Sequence, residues 1–206
     1  MRGWFPFLTP PVAASRPPLG PMFRVPGGWA LVVRDGGAPR RRWVPGFWLD
    51  ARPVTNAGWR AFQQATGAAS PPWITRPGWD DPEQPVVGVT PVEAQAFARW
   101  AGKRLARENE WARALGEALF PWGHGEANAR RATFGMSPGA PPRHPTLQDG
   151  AGPWGHLDLV GNAWELVAGG LACGGFRGSP SLTRDLRLKV APGERLAGVG
   201  FRCAWG

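Results

Sequence analysis

Tyrosine is absent from the 206 residues, and cysteine, histidine and lysine are scarce. Two cysteines, Cys173 and Cys203, cannot build a disulfide framework, so a pair of buried thiols is the expected state. Only Lys103 and Lys189 are lysines among 24 basic residues. Such a bias toward arginine follows from GC-rich coding, which weakens any partner inference from the formal net charge of +9. Arg40-Arg41-Arg42 is the only basic run and no helix carries a basic stripe. That argues against a specific nucleic-acid partner and leaves only non-specific attraction. Of the three histidines, His124, His144 and His156, the first two have no acid or thiol at ligand spacing, and scattered loop histidines are the expected reading. No apolar run reaches the length of a membrane span. The opening MRGWFPFLTPPVAASRPP has an apolar stretch interrupted by prolines, a poor secretory signal, and cytoplasmic residence is expected.

What is abundant is glycine (30), proline (24) and tryptophan (13), with 43% hydrophobic residues. Glycine and proline at this level can mark low complexity, but 13 Trp and 10 Phe each bring a large apolar area to bury. The expectation is one globular domain, rich in turns and poor in regular structure, with a Pro-rich arm over 1–21 and a domain over 22–206.

The layout predicts an α+β class. Residues 22–34 read as two strands around a Pro-Gly-Gly turn, and another short strand lies near Phe47-Trp48-Leu49. A helix is predicted over 56–66, capped by Thr55 or Asn56, with Trp59, Phe62 and Ala65 on one face and Gly67 as its stop. Thr90-Pro91-Val92-Glu93 is a capping box opening a second helix, with Phe97, Trp100 and Ala101 inward. A third helix is expected over 108–118, with Trp111 and Leu115 inward and Arg107 as a weak cap. Residues 123–157 lack periodicity and read as a long ordered surface segment, a kind usually functional or held by something. Strands are expected over 157–167, 171–177 and 199–205, in an irregular antiparallel sheet that the N-terminal strands complete.

Seven short motifs follow one another in a recognisable order: FRVPGGWALV, FWLDARPVTNAGWRAF, QPVVGVTPVEAQAFARWAGKRL, ENEWARAL, FPWG, DLVGNAWEL and GFRCAW. In that order they resemble the formylglycine-generating enzyme, or sulfatase-modifying factor, family over roughly residues 22–206. The resemblance implies a C-type-lectin-like fold of low regular secondary structure. Active members oxidise a sulfatase cysteine with a copper ion held by two cysteines, since soft thiolates favour Cu(I). Aligning Gly174-Gly175 of ACGGFRGSPSLTRD with the family's Gly-Gly puts Ser179 and Arg184 at the two cysteine positions. Neither is a copper ligand, so the fold carries over and the oxidase activity does not. The seven-residue link VAGGLAC between Leu166 and Gly174 is also shorter than the family's aromatic-rich insertion.

The resemblance implies calcium at DLVGNAWEL, through the side chains of Asp158 and Glu165 and the carbonyls of Gly161 and Ala163. The alternative at this loop is a bend in which Asp158 caps the turn and Glu165 pairs with an arginine. A second family calcium site maps to Asn128, the Ala129 carbonyl and Asp149, where Asn128 equally suits a loop residue satisfying nearby backbone. Glu108 and Glu110 read as capping or ion-pairing acids.

The family also includes the variable proteins of diversity-generating retroelements, whose diversified residues fall on this C-terminal segment. The expected function is accordingly a non-catalytic module binding a protein or peptide ligand. Its surface would comprise Phe176, Arg177, Ser179, Ser181, Thr183, Arg184, Arg187 and Arg195, all expected to be exposed. The alternative is a formylglycine-generating-type oxidase or an accessory factor that matures another protein.

Overall fold

The computed structural model describes residues 19–32, 38–144 and 147–206. The expected N-terminal arm lies outside the described residues up to position 18. Thr55 opens α1 (Asn56–Thr66) by accepting the Gly58 N–H on its hydroxyl at 3.2 Å. Trp59 and Phe62 turn inward, and Trp59 stacks on Phe97 at 5.7 Å between centroids. Ala65, expected on the same face, is exposed: six helical residues past Trp59 have rotated it off the core side.

α2 (Pro91–Trp100) begins as its sequence predicts. The Thr90 hydroxyl accepts the Glu93 N–H at 3.2 Å, and the Glu93 carboxylate accepts the Thr90 N–H at 2.9 Å. α3 (Glu108–Leu115) stops three residues before its expected end, at Gly116. Its weak start is compensated by Glu110, whose carboxylate accepts the Arg107 N–H at 2.8 Å.

Two four-stranded sheets and a ribbon complete the fold. β1 (Met22–Val25), β4 (Phe47–Asp50), β10 (Cys203–Trp205) and β5 (Arg104–Leu105) form an antiparallel sheet in that order, joining the two ends of the domain. β2 (Gly28–Val32) and β3 (Arg40–Val44) pair separately. The other sheet runs β8 (Arg187–Lys189), β7 (Leu171–Cys173), β6 (Trp164–Val167) and β9 (Val199–Phe201). Its β6–β9 pair is parallel, where an antiparallel sheet was expected, because the chain passes through β7 and β8 before returning beside β6.

The C-terminal strands are shorter than their apolar runs. Asp158 and Asn162 both hold a left-handed backbone at φ 55°, so the pleat begins only at Trp164. Gly174 (φ 93°) ends β7, and a Cβ there would lie 2.6 Å from the Leu159 carbonyl oxygen. β8 has no periodic signal and was not expected.

Two large buried clusters and a small third one of Trp79, Val87 and Ala163 fill the interior. Val25, Leu49, Trp111, Leu115 and Leu159 belong to one large cluster, and Trp59, Phe97, Leu166 and Phe201 to the other. The described part of 123–157 contains no α-helix or strand, only a 3₁₀ turn at Gln148–Gly150. It is tied to the C-terminal segment: Gly135 N–H donates to the Ser179 carbonyl at 2.9 Å and Met136 N–H to that of Arg177 at 2.8 Å.

Candidate functional site

The loop Asp158–Glu165 enters β6 and lies against Gly174 at the exit of β7. Gly161 N–H donates to the Gly174 carbonyl at 2.9 Å, and Asn162 N–H to the Thr133 carbonyl at 2.8 Å. Only glycine fits at 161: φ is 81°, and a Cβ would meet the Thr133 carbonyl oxygen at 2.6 Å. Asn162 is the pin of this region. Its amide donates to the Asp158 carboxylate at 2.8 Å and to the Arg143 carbonyl at 2.9 Å, while its oxygen accepts the Arg143 N–H at 2.8 Å. Asparagine tolerates the left-handed backbone here, and its two-ended amide strings the 141–144 strap onto the loop.

Glu165 is 1% exposed and committed to Arg202, also 1% exposed, from the GFR motif. The guanidinium donates to both carboxylate oxygens at 2.7 and 2.5 Å, and Trp111 Nε1 adds a third bond at 3.1 Å. Arg202 also donates to the Leu157 carbonyl at 2.7 Å. Burial pushes the Glu165 carboxyl up and Arg202 pulls it back; Asp158 is raised by burial to about 6, against the Asn162 bond. His156, read as a loop histidine, is fully buried, and burial beside Arg202 lowers it to about 4.

Calcium needs about six to eight oxygens and carboxylates free to face it. With both Glu165 oxygens on a guanidinium, a dication would have to share the carboxylate with a buried Arg202. The Asp158 loop in this conformation therefore fits an ion pair rather than calcium. The second group is drawn together: the 3₁₀ turn packs on the Asn128 turn, and Asp149 meets Arg130 at 3.2 Å. There Asn128 accepts the Arg130 N–H at 3.0 Å, and Ala129 is exposed beside it. One carboxylate opposite a guanidinium is a thin donor set for a hard dication. Among the described residues, no group of three or more His, Cys, Asp or Glu could hold a metal.

The positions aligned with the family's copper thiols are engaged by protein. Ser179, 6% exposed, accepts the Phe176 N–H on its hydroxyl at 3.1 Å. Arg184 spreads over four carbonyls: Gly116 at 3.1 Å, Glu117 at 3.0 Å, Ala118 at 2.5 Å and Leu31 at 3.4 Å. It clasps the C-terminal segment onto the end of α3 and onto β2. Cys173 in β7 and Cys203 in β10 are free, fully buried and in different sheets. Burial pushes the Cys173 thiol up to about 12 and raises Cys203 well above its ordinary value. Protonated thiols in separate sheets do not fit a copper pair.

The expected exposed surface is corrected at most of its positions. Arg177 is buried, lies 4.8 Å over the Trp79 ring, and donates to the Ala140 and Ala197 carbonyls. Burial lowers its guanidinium to about 10. Arg187 bonds Glu108 at 3.1 Å, and Arg195 bonds both Glu93 oxygens at 2.7 and 2.5 Å. Phe176 is half-buried; Ser181 and Thr183 are exposed, with Pro180 and Asp185 beside them. Counting arginines as surface missed the partners: Glu93 and Glu108 were legible as acids, but the carbonyls that hold Arg184 carry no sequence signal.

A family model described as "Sulfatase-modifying factor enzyme 1-like domain" matches residues 9–206. The chain is 29% identical over 157 residues to the hercynine oxygenase of Mycolicibacterium smegmatis, a match covering 59% of this chain and 37% of that protein. It is 30% identical over 193 residues to the formylglycine-generating enzyme of Mus musculus, covering 65% and 52% respectively. The chain thus spans about a third to a half of the length of these curated relatives. Among solved structures, PvdO from Pseudomonas aeruginosa superposes with a TM-score of 0.68 at 24% identity, over 89% of this chain and 93% of that one. Treponema denticola variable protein 1 also reaches 0.68, at 16% identity, over 89% and 94%. At these identities the two structures share the fold.

Proposed function

The chain belongs to the sulfatase-modifying factor enzyme 1-like family, and from that premise we propose that it is a non-catalytic module binding a protein or peptide ligand. One observation carries the reading: Ser179 and Arg184, which the family resemblance aligns with the copper thiolates of active members, are each held by protein hydrogen bonds. The remaining thiols are buried, so no cysteine sulfur faces solvent among the described residues. The contact surface is the exposed part of the C-terminal segment, Pro180, Ser181, Thr183 and Asp185, edged by Phe176. Arg177, Arg184, Arg187 and Arg195 are its frame. If the gene belongs to a diversifying set, copies will differ at the exposed positions and keep the frame arginines.

The names of the curated relatives favour a second reading, an oxidase or an accessory factor that matures another protein. Calcium enters the first reading through the family resemblance alone, and the Glu165–Arg202 pair opposes it at the Asp158 loop. Metal analysis of the purified protein, combined with aerobic incubation with a CxPxR peptide and copper, separates these readings. The expected result is unmodified peptide by mass spectrometry and no stoichiometric copper. Cysteine converted to formylglycine would establish the oxidase instead.

A further inference from the structure

The hairpin at residues 168–170 joins β6 to β7 at the end opposite the Asp158 loop, and beside it opens a pocket of about 450 Å³. That size suits a small organic ligand. Val92, Leu105 and Val190 supply apolar wall, and Val92 is 56% exposed. The rim carries Arg99, Arg104 and Arg107, and no carboxylate lines the space. Arg104 holds both Glu110 oxygens at 2.6 and 2.8 Å, and Arg107 reaches the same carboxylate at 3.3 Å. Arg99 bonds the Gln95 carbonyl at 3.4 Å and has no carboxylate partner among the described residues. Glu194, just past the Pro192 wall, folds back to accept the Ala191 N–H at 2.9 Å. Two of the three guanidiniums therefore share one carboxylate, and the third has none among the described residues, over an apolar floor.

We infer that this pocket is a binding site for a small amphipathic anion, a carboxylate carried on an apolar body. The hydrocarbon lies on the valine and leucine wall, and the carboxylate meets the Arg99 guanidinium, whose planar fork matches two oxygens. None of Pro180, Ser181, Thr183 and Asp185 lines it, although Val190 and Pro192 of the same segment do. Arg104 is held by Glu110 and by the Gly206 carbonyl at 2.6 Å, so it fixes the rim, while exposed Arg99, with no carboxylate to release, can close on a ligand and exposed Arg107 stays on Glu110 beside it.

Titration calorimetry of the whole chain with octanoate, octylammonium and 1-octanol, three probes sharing one apolar body, tests the assignment. Octanoate is expected to bind saturably, more tightly than the alcohol, with octylammonium weakest. Arg99→Glu should weaken octanoate about tenfold and leave octanol unchanged. Ala168→Trp, at an exposed position on the pocket wall, should weaken both. Both variants change exposed residues, and an unchanged melting temperature confirms that each is folded. Equal binding of octanoate and octylammonium, no saturable binding, or octanoate affinity untouched by Arg99→Glu would overturn the inference.

Discussion

The two ends of the β6–β7 pair treat charge in opposite ways. At the Asp158 and Gly174 end three arginines are closed off. Arg202 is locked on Glu165, Arg187 on Glu108, and Arg184 on the carbonyls at the end of α3. At the hairpin end Glu110 serves two arginines and Arg99 has no carboxylate among the described residues. The closed end is the one that family resemblance marks for chemistry. It has become a structural knot, in which a guanidinium supplies positive charge to the loop expected to take calcium. Charge left free for a ligand lies at the other end, which no motif pointed to.

The largest effect is expected from breaking the knot. Glu165→Ala strands a buried guanidinium, a loss of about 3–5 kcal/mol, or on the order of 10 °C in melting temperature for a chain of this size. Denaturant unfolding measures it, and the paired change Glu165→Leu with Arg202→Met should recover most of the loss. A single variant that melts like the parent would break the comparison. Arg184→Ala comes next. It releases charge-assisted bonds to four carbonyls and should cost about 1–3 kcal/mol. If Arg184 instead served a reaction, its loss would leave stability unaltered. The smallest effect belongs to the open end, where Arg99→Ala should alter stability by less than about 0.5 kcal/mol.

Signals that are local in sequence were read well. The Thr90 capping box, the Thr55 cap, the inward Trp59 and Trp111 and the ion-pairing role of Glu110 all rest on residues within a turn or two of one another, whereas Glu108 finds its partner in Arg187, 79 residues away. The motif order carried the fold class. Partnerships across long separations were not legible. Arg202 lies 37 residues from Glu165, and Arg184 lies 66 from Ala118. The eight residues expected on the C-terminal surface were chosen because polar side chains usually face water, and five of them are held by contacts that only the folded chain creates. The Gly161-Asn162 turn was legible as a bend. That Asn162 would pin the 141–144 strap was not, because the strap has no periodicity to place it. The parallel β6–β9 pair was missed for the same reason, since β8 and the loop after it give no strand signal.

On the proposed reading, this family scaffold offers no soft-metal centre at its closed end. Anaerobic titration of the native protein with Cu(I), against a competing chromogenic chelator, tests it most directly. No copper equivalent is expected to be withheld from the chelator, because Cys173 and Cys203 are buried and protonated and because Ser179 and Arg184 offer no sulfur. One equivalent retained by the folded protein, and lost when Cys173 or Cys203 is replaced by serine, would contradict it.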